Sequence, residues 1–282
     1  MIPKFWKCRD RVIDLSTPKI MGIVNVTPDS FSDGGKYYSS ARAIEHGFQL
    51  AEDGADILDI GGESTRPGAE EVSVHSELER VIPVIEELSA GGLVVSVDTS
   101  KPEVMTAAAE AGAQIINDVY ALRRNGALEA AVKSGCGVCL MHMQGEPRTM
   151  QKNPFYADLL TEIKSFLIER ARVLTAQGVP ADKIVLDPGF GFGKTVAQNF
   201  ELLAKTRDFL SLGYPLLYGM SRKSSLGVVT GVARAEERVI SSVTTHLLAV
   251  ERGASIVRVH DVKQVKEALT IYNAMIEYKE LK

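Results

Sequence analysis

The stretch Ser255-Ile-Val-Arg-Val-His-Asp261 carries two cation-capable side chains, Arg258 and His260, among apolar neighbours. Gly253 precedes it and an amphipathic helical pattern over 262–278 follows, so it reads as a short strand. Successive side chains on a strand point to opposite faces. Ile256, Arg258 and His260 therefore share one face, and Val257 and Val259 the other. If the following helix covers the valine face, Arg258 and His260 point inward and need an anion, either a protein carboxylate or a phosphate of a ligand. A second group has the opposite sign: Asp98 and Asp187 end apolar runs, with Asn117 between them in chain order. Inward carboxylates are costly unless paired or hydrogen-bonded. A ligand offering several N–H donors in one plane, such as a 2-amino-pyrimidinone ring, would relieve them. A salt bridge to Lys223 or Arg258 would do the same, and residue types alone do not choose.

Something regular must position these groups. Short apolar runs fall at 20–26, 56–61, 93–98, 114–119, 137–143, 183–187, 216–220 and 255–260. Longer amphipathic stretches follow them near 39–53, 75–90, 101–111, 126–134, 155–177, 196–212, 234–252 and 262–279. The punctuation also repeats: Gly54-Ala-Asp-Ile, Gly112-Ala-Gln-Ile and Gly253-Ala-Ser-Ile each end a helix and start a strand. Alternating strands and helices imply a parallel sheet. Eight such units favour an α/β fold of one class, a single (β/α)8 TIM barrel with its active site at the C-terminal ends of the strands, over a doubly wound sheet. Polar residues do gather at strand ends: Asn25, Glu63 to Arg66, Asp98, Asn117, Asp118, Asp187, Ser221 to Lys223, Arg258 and His260. Helix capping would explain Thr99, Ser100 or Asp118 singly. It does not explain so many strand ends at once, which a polar pocket at the barrel mouth does.

Composition narrows the function. The 282 residues are 45% hydrophobic, enough for one large barrel, and no linker divides them, so residues 1–282 read as a single domain. A net charge of −4 gives no basic surface for nucleic acid, and any anion site must be local. Residues 1–11 are polar and basic with no apolar run, so neither a secretory signal nor a membrane span is expected. Three cysteines, an odd number, fit a reducing cytoplasm.

Some motifs invite readings that their spacing refuses. Asp187-Pro-Gly-Phe-Gly-Phe-Gly-Lys-Thr195 has three residues between Gly189 and Gly193, one fewer than a P-loop needs. Its glycine-rich turn could still offer N–H groups to an anion. Cys136, Cys139 and His142 are three apart, so the two cysteines face opposite ways on a strand and core packing is preferred to zinc. His46, His75 and His246 fall in helical stretches and read as structural or surface residues, and Met141 and Phe192 as core or pocket wall. The connections 27–36 and 62–69 are long and polar where barrel loops usually run roughly 2–6 residues, which suits lids over an active face.

At this point the residues resemble a known family. Ile23-Val-Asn-Val-Thr-Pro-Asp-Ser-Phe-Ser-Asp-Gly-Gly35 and Asp59-Ile-Gly-Gly-Glu-Ser-Thr-Arg-Pro-Gly68 look like the two signature segments of dihydropteroate synthase. Leu186 to Lys194, Ser221-Arg-Lys-Ser224 and Arg258-Val-His260 resemble it too, in order, over nearly the whole chain. The resemblance implies condensation of 6-hydroxymethyl-7,8-dihydropterin diphosphate with 4-aminobenzoate, and a target for sulfonamide mimics of the latter. It implies that Asp98, Asn117, Asp187 and Lys223 hold the pterin ring. Asn25, Arg258 and His260 would hold the diphosphate, with Asn25 near a magnesium ion (Mg2+). Asp33, Thr65, Arg66 and Pro67 lie on the closing loops; Asp33 and Arg66 would join the catalytic set, Thr65 and Arg66 the diphosphate site, and Pro67 the aminobenzoate site. Phe192 and Ser224 would surround the aminobenzoate, its carboxylate near the helix start after Ser224. The expected partners are these small molecules and a second copy of the chain, with neither nucleic acid nor membrane. The rivals are a pterin-dependent methyltransferase, a non-catalytic pterin-binding protein, and an aldolase or other phosphate-using barrel. The last needs a strand-end lysine, and Lys223 lies past its strand beside Arg222.

Overall fold

The structure is a computed structural model describing residues 2–27, 36–64, 68 and 71–280. Its centre is a ring of eight parallel strands: β3 (Lys19–Asn25), β4 (Ile57–Gly61), β5 (Val95–Asp98), β6 (Ile115–Asp118), β7 (Gly137–Met141), β8 (Ile184–Asp187), β9 (Leu217–Tyr218) and β10 (Ile256–Val259). They pair in the order β8-β7-β6-β5-β4-β3-β10-β9. The remaining seam is joined by a parallel bridge between Leu186 and Leu216, with Leu186 N–H donating to Pro215 O at 3.0 Å. This link makes the sheet a nearly closed barrel and not a doubly wound open sheet.

Side-chain parity sorts each strand between two cores. Met21, Ile57, Ile115, Cys139, Val185, Leu217 and Ile256 fill the lumen as one apolar cluster. Their chain neighbours, among them Leu58, Ile116, Val138, Leu186, Val257 and Val259, pack outward with the helices. The helices are α1 (Lys36–Glu52), α2 (Val74–Ala90), α3 (Pro102–Glu110), α4 (Ala127–Ser134), α5 (Leu159–Ala176), α6 (Val196–Ala204), α7 (Thr206–Phe209), α8 (Ser224–Thr230), α9 (Val239–Glu251) and α10 (Val262–Glu280). The helix packed on the valine face of β10 is α9; α10 lies against β3, one strand further round, as a crossover that returns over its sheet demands. The stretch 196–212 is broken into α6 and α7, and α8 is an added short helix that the periodicity does not announce.

The repeated glycine punctuation has a local cause. Gly54, Gly112 and Gly253 have φ of +104°, +110° and +103°, a region that side chains disfavour. The next residue turns back onto its helix: Ala55, Ala113 and Ala254 donate to the carbonyls of Leu50, Ala108 and Ala249. In two repeats the polar residue after that secures a neighbouring strand. Asp56 Oδ2 accepts from Ile20 N–H, and Gln114 Oε1 from Val95 N–H, both at 2.8 Å.

An element absent from the sequence reading closes the barrel floor. Phe5–Cys8 (β1) and Arg11–Asp14 (β2) form an antiparallel hairpin that puts Trp6, Cys8 and Ile13 into the luminal cluster. Trp6 Nε1–H donates to Lys183 O at 2.9 Å. Charged Lys7, Arg11 and Asp14 keep the hairpin's apolar residues in runs no longer than two, so a search for apolar runs passes it by. Trp6→Ala is expected to cost about 3–5 kcal/mol in urea unfolding, the range for emptying a large core site. A loss below about 1 kcal/mol, typical of a surface change, would mean that the hairpin does not plug the floor.

Candidate active site

Above the apolar floor, the same inward parity brings the polar residues together. Asp98 pairs in register with Asn117 on β6 and with Gly61 on β4. Asp187 ends β8 and Arg258 lies on β10. The choice left open for Arg258 is answered in part by protein. Its Nε donates to Asp59 Oδ2 at 2.5 Å and its Nη2 to Asp98 Oδ2 at 2.7 Å. Among the described residues Nη1 has no such commitment. Asp59 also accepts from Asn117 Nδ2 at 3.0 Å. Sequence reading singled out strand ends and missed Asp59, although a carboxylate at inward parity inside Ile57-Leu-Asp-Ile-Gly61 was signal enough.

The electrostatics follow from enclosure. Burial raises the Asp98 carboxyl to about 7, against the pull of Arg258, and Asp59 pushes the same way as burial. Burial also raises Asp187, which Gly189 N–H opposes by donating to Oδ1 at 2.7 Å. Burial lowers Lys223 to about 7, with Asp187 resisting. Burial works against the charge of Arg258 as well, but Asp59 and Asp98 more than offset it and hold the guanidinium ionised. Two carboxylates and two cations thus face one enclosure, and two of the four groups, Asp98 and Lys223, titrate near neutrality, as groups in acid–base and ion-recognition sites often do.

The loops fix which lysine serves the site. Lys223 Nζ donates to Phe190 O and stands 4.1 Å from the Phe192 ring centroid. Lys194 turns back into its own loop, bonded to Gly189 O, Phe192 O and His142 Nδ1 at 2.8, 2.9 and 3.0 Å. It holds the glycine-rich turn together and reaches no phosphate position, so the refusal of a P-loop stands. That turn admits no side chain at Gly189, where φ is +72° and a Cβ would overlap His142 O. Arg222 adopts φ +58°, unusual for a side-chain-bearing residue. Its guanidinium clamps Asp261 at 3.1 and 2.5 Å, which turns Lys223 toward the barrel. Ser221 Oγ accepts from His260 N–H at 3.1 Å and lies 3.0 Å from His260 Nδ1, tying the β9 and β10 exits together.

Asn25 ends β3 and is half-buried, Phe192 is half-buried, and Ser224 is exposed at the start of α8. The first turn of α8, which begins at Ser224, leaves backbone N–H groups without an intrahelical acceptor, as any helix start does. Asp33, Thr65, Arg66 and Pro67 lie outside the described residues. The near root of the second loop is anchored through Glu63, already among the polar strand-end residues, by Lys101, Glu77 and Arg80, which sequence reading did not select. Lys101 Nζ joins Glu63 to the fully enclosed Glu77, Glu63 Oε1 accepts from Val72 N–H at 3.0 Å, and Arg80 Nη1 donates to Gly62 O at 2.7 Å.

The remaining candidates take the bland roles expected of them. Cys139 faces the lumen and Cys136 the outer core, so they diverge. His246 is buried, accepting from Met220 N–H at 3.1 Å and lying 2.7 Å from Ser242 O through Nδ1; burial lowers it to about 4, so it is neutral. Asp118 caps its own turn, accepting from Tyr120 and Leu122 N–H.

Comparison with known proteins places this geometry. The profile of a family described as "Pterin binding enzyme" matches residues 21–260. The dihydropteroate synthase of Escherichia coli (strain K12) is 50% identical over 271 residues, 96% of each chain. The Xanthomonas albilineans dihydropteroate synthase solved with 4-aminobenzoic acid superposes with a TM-score of 0.91 at 50% identity, over 96% of this chain and 98% of that one. The same organism's enzyme in complex with 7,8-dihydropteroate gives 0.88 at 48% identity, over 96% and 98%.

Proposed function

The chain belongs to the pterin-binding enzyme family, and on that premise we propose that its barrel mouth joins 6-hydroxymethyl-7,8-dihydropterin diphosphate to 4-aminobenzoate. The products are 7,8-dihydropteroate and diphosphate, and the chain acts as a transferase of folate biosynthesis. The observation that carries this reading is the convergence of Asp98, Asn117 and Asp187 on one enclosure with Lys223 and Arg258 as counter-charges. Three acceptor-bearing groups suit the N–H edge of a pterin. The cations suit its carbonyl and its leaving group.

The chemistry asked of these residues is modest. The C–O bond to diphosphate breaks with its electron pair on oxygen. The neutral arylamine lone pair forms the C–N bond, and the amine then sheds a proton to the departing diphosphate or to water. Arg258 Nη1 and His260 stabilise charge developing on the leaving oxygens. Ionised Asp98 and Asp187 favour the positive charge that spreads over the pterin as its methylene parts from oxygen. This is a dissociative substitution. Phe192 and Ser224 line the amine's approach, and Asp33, Thr65, Arg66 and Pro67 complete it from the two loops.

Magnesium fits as an ion brought by substrate. Among the described residues no group of three His, Cys, Asp or Glu side chains is arranged to cage a metal. Mg2+ keeps much of its water and takes phosphate oxygens, so the single amide oxygen of Asn25 is a sufficient protein ligand. When bound, the ion adds positive charge beside the leaving group. We place the protein, a single domain over residues 1–282, in a reducing cytoplasm, since its three cysteines are buried and unpaired. A homodimer would cover the exposed Val228, Val229, Ile240, Ile271 and Met275 on α8, α9 and α10.

The test is diphosphate release by the purified chain, given dihydropterin diphosphate and Mg2+, with and without 4-aminobenzoate. Release that requires 4-aminobenzoate and equals dihydropteroate formed is expected. Tight binding without release would make the chain a non-catalytic pterin binder. No binding would leave Arg258 serving carboxylates alone.

A further inference from the structure

Asp59 is fully enclosed beneath the mouth, midway along β4. Its Oδ2 accepts from two residues of different duty, Arg258 Nε and Asn117 Nδ2. Among the described residues its Oδ1 has no partner, and neither has the enclosed Ser96 Oγ, which register places beside it on β5. A buried carboxylate held this sparingly is poor structural economy, because well-packed apolar residues commonly replace buried ion pairs at no loss of stability. Its chemistry does something an apolar residue cannot. A carboxylate only accepts, so Asn117 must turn Nδ2 toward it and leave Oδ1 for a ligand N–H. Likewise Nε of Arg258 is held by Asp59, Nη2 goes to Asp98, and Nη1 is left uncommitted among the described residues.

We propose that Asp59 is a positioning residue that locks the pterin-reading amide of Asn117 and the diphosphate-reading guanidinium of Arg258 into one unit. This rests on the roles assigned under Proposed function. Recognition of ring and leaving group is then coupled through a carboxylate that touches neither.

The experiment compares the wild-type chain with Asp59→Asn, a near-isosteric change that removes only the charge, and with Asp59→Ser. Calorimetry uses two probes separately, 6-hydroxymethylpterin without phosphate and inorganic diphosphate with Mg2+. Asp59→Asn should weaken both probes about tenfold each, because an amide can donate and lets Asn117 flip. The KM for 4-aminobenzoate should stay within about twofold. Combining Asp59→Asn with Asn117→Ala should add little to the loss of pterin affinity. The pH profile separates positioning from simple damage. Asp98 is faced by Arg258 from β10, Asp59 from β4, Glu77 from α2 and Asp118 from β6, while Lys223 stands across the mouth. Removing the Asp59 charge relieves Asp98, so the acid limb of kcat/KM should move to lower pH by about half a unit or more. Structural damage would lower the profile without moving it. Wild-type probe affinities and an unmoved limb in a folded Asp59→Asn variant would overturn the proposal. So would failure of both variants to fold, which would make the role structural. If the wild type forms no dihydropteroate, the functional reading falls separately, and the two binding arms still decide whether Asp59 couples Asn117 to Arg258.

Discussion

Asp187→Asn is expected to give a folded protein whose kcat/KM for the pterin diphosphate is about 10²–10³ lower, the usual loss when a preorganised charge at the reacting centre is removed. The side chain is enclosed at the end of β8, where burial raises its carboxyl. An amide of the same shape can still accept from Gly189 N–H, now at 2.7 Å, so the turn is retained. What disappears is the negative charge that favours a cationic pterin and that opposes the lowering of Lys223. The stability effect has the opposite sign. A carboxylate whose folded pKa is raised destabilises the fold as pH rises from its unfolded value through its folded one. The variant lacks that cost. Its melting temperature should equal or exceed the wild type's at pH 8, and the difference should shrink by pH 4. Parallel turnover assays and thermal melts at both pH values check this. Turnover within about threefold of wild type would remove Asp187 from the mechanism.

Arg258→Ala is expected to do two things together. It strands enclosed Asp59 without a counter-ion and strips Asp98 of the partner that lowers it. Breaking a buried pair from one side costs about 3–5 kcal/mol. Asp98, already raised to about 7, must rise further, so the destabilisation should be largest at high pH and diminish as pH falls toward the unfolded carboxylate range. Urea unfolding at pH 5 and pH 8 measures it, and equal losses at both would contradict the ion-pair assignment. Binding should separate in the same variant. Diphosphate with Mg2+ should lose about 100-fold in affinity, since a charged hydrogen bond goes with the guanidinium. Phosphate-free pterin should lose only about tenfold, through the altered Asp98. Equal losses for the two ligands would refute a specific duty toward the leaving group.

Much of this protein was decided locally and could be read in the sequence. Alternation on a strand is a property of neighbouring residues, so the faces that Asp98, Asn117, Asp187 and Arg258 share with their strand mates, and the divergence of Cys136 from Cys139, needed no tertiary information, whereas which face turns inward was decided by the closed ring and its helices. Glycines at φ above +100° end helices by the same local sterics, and they marked the repeating unit that implies a barrel. One residue too few between Gly189 and Gly193 refused a P-loop, and Lys194 folded into its own turn agrees. Other features came only from assembly. The hairpin plug is legible only when a barrel floor exists for Trp6 to fill. Lys223 serves the mouth because Arg222, held at positive φ, is pinned to Asp261 on the next strand exit. Most telling is Asp59, 199 residues before Arg258 and 58 before Asn117. Parity says which face a side chain takes, but not how deep it lies or which strand's residue it meets across the lumen. Those depend on ring closure and stagger, and they make an unremarked carboxylate the point where the two halves of the site meet.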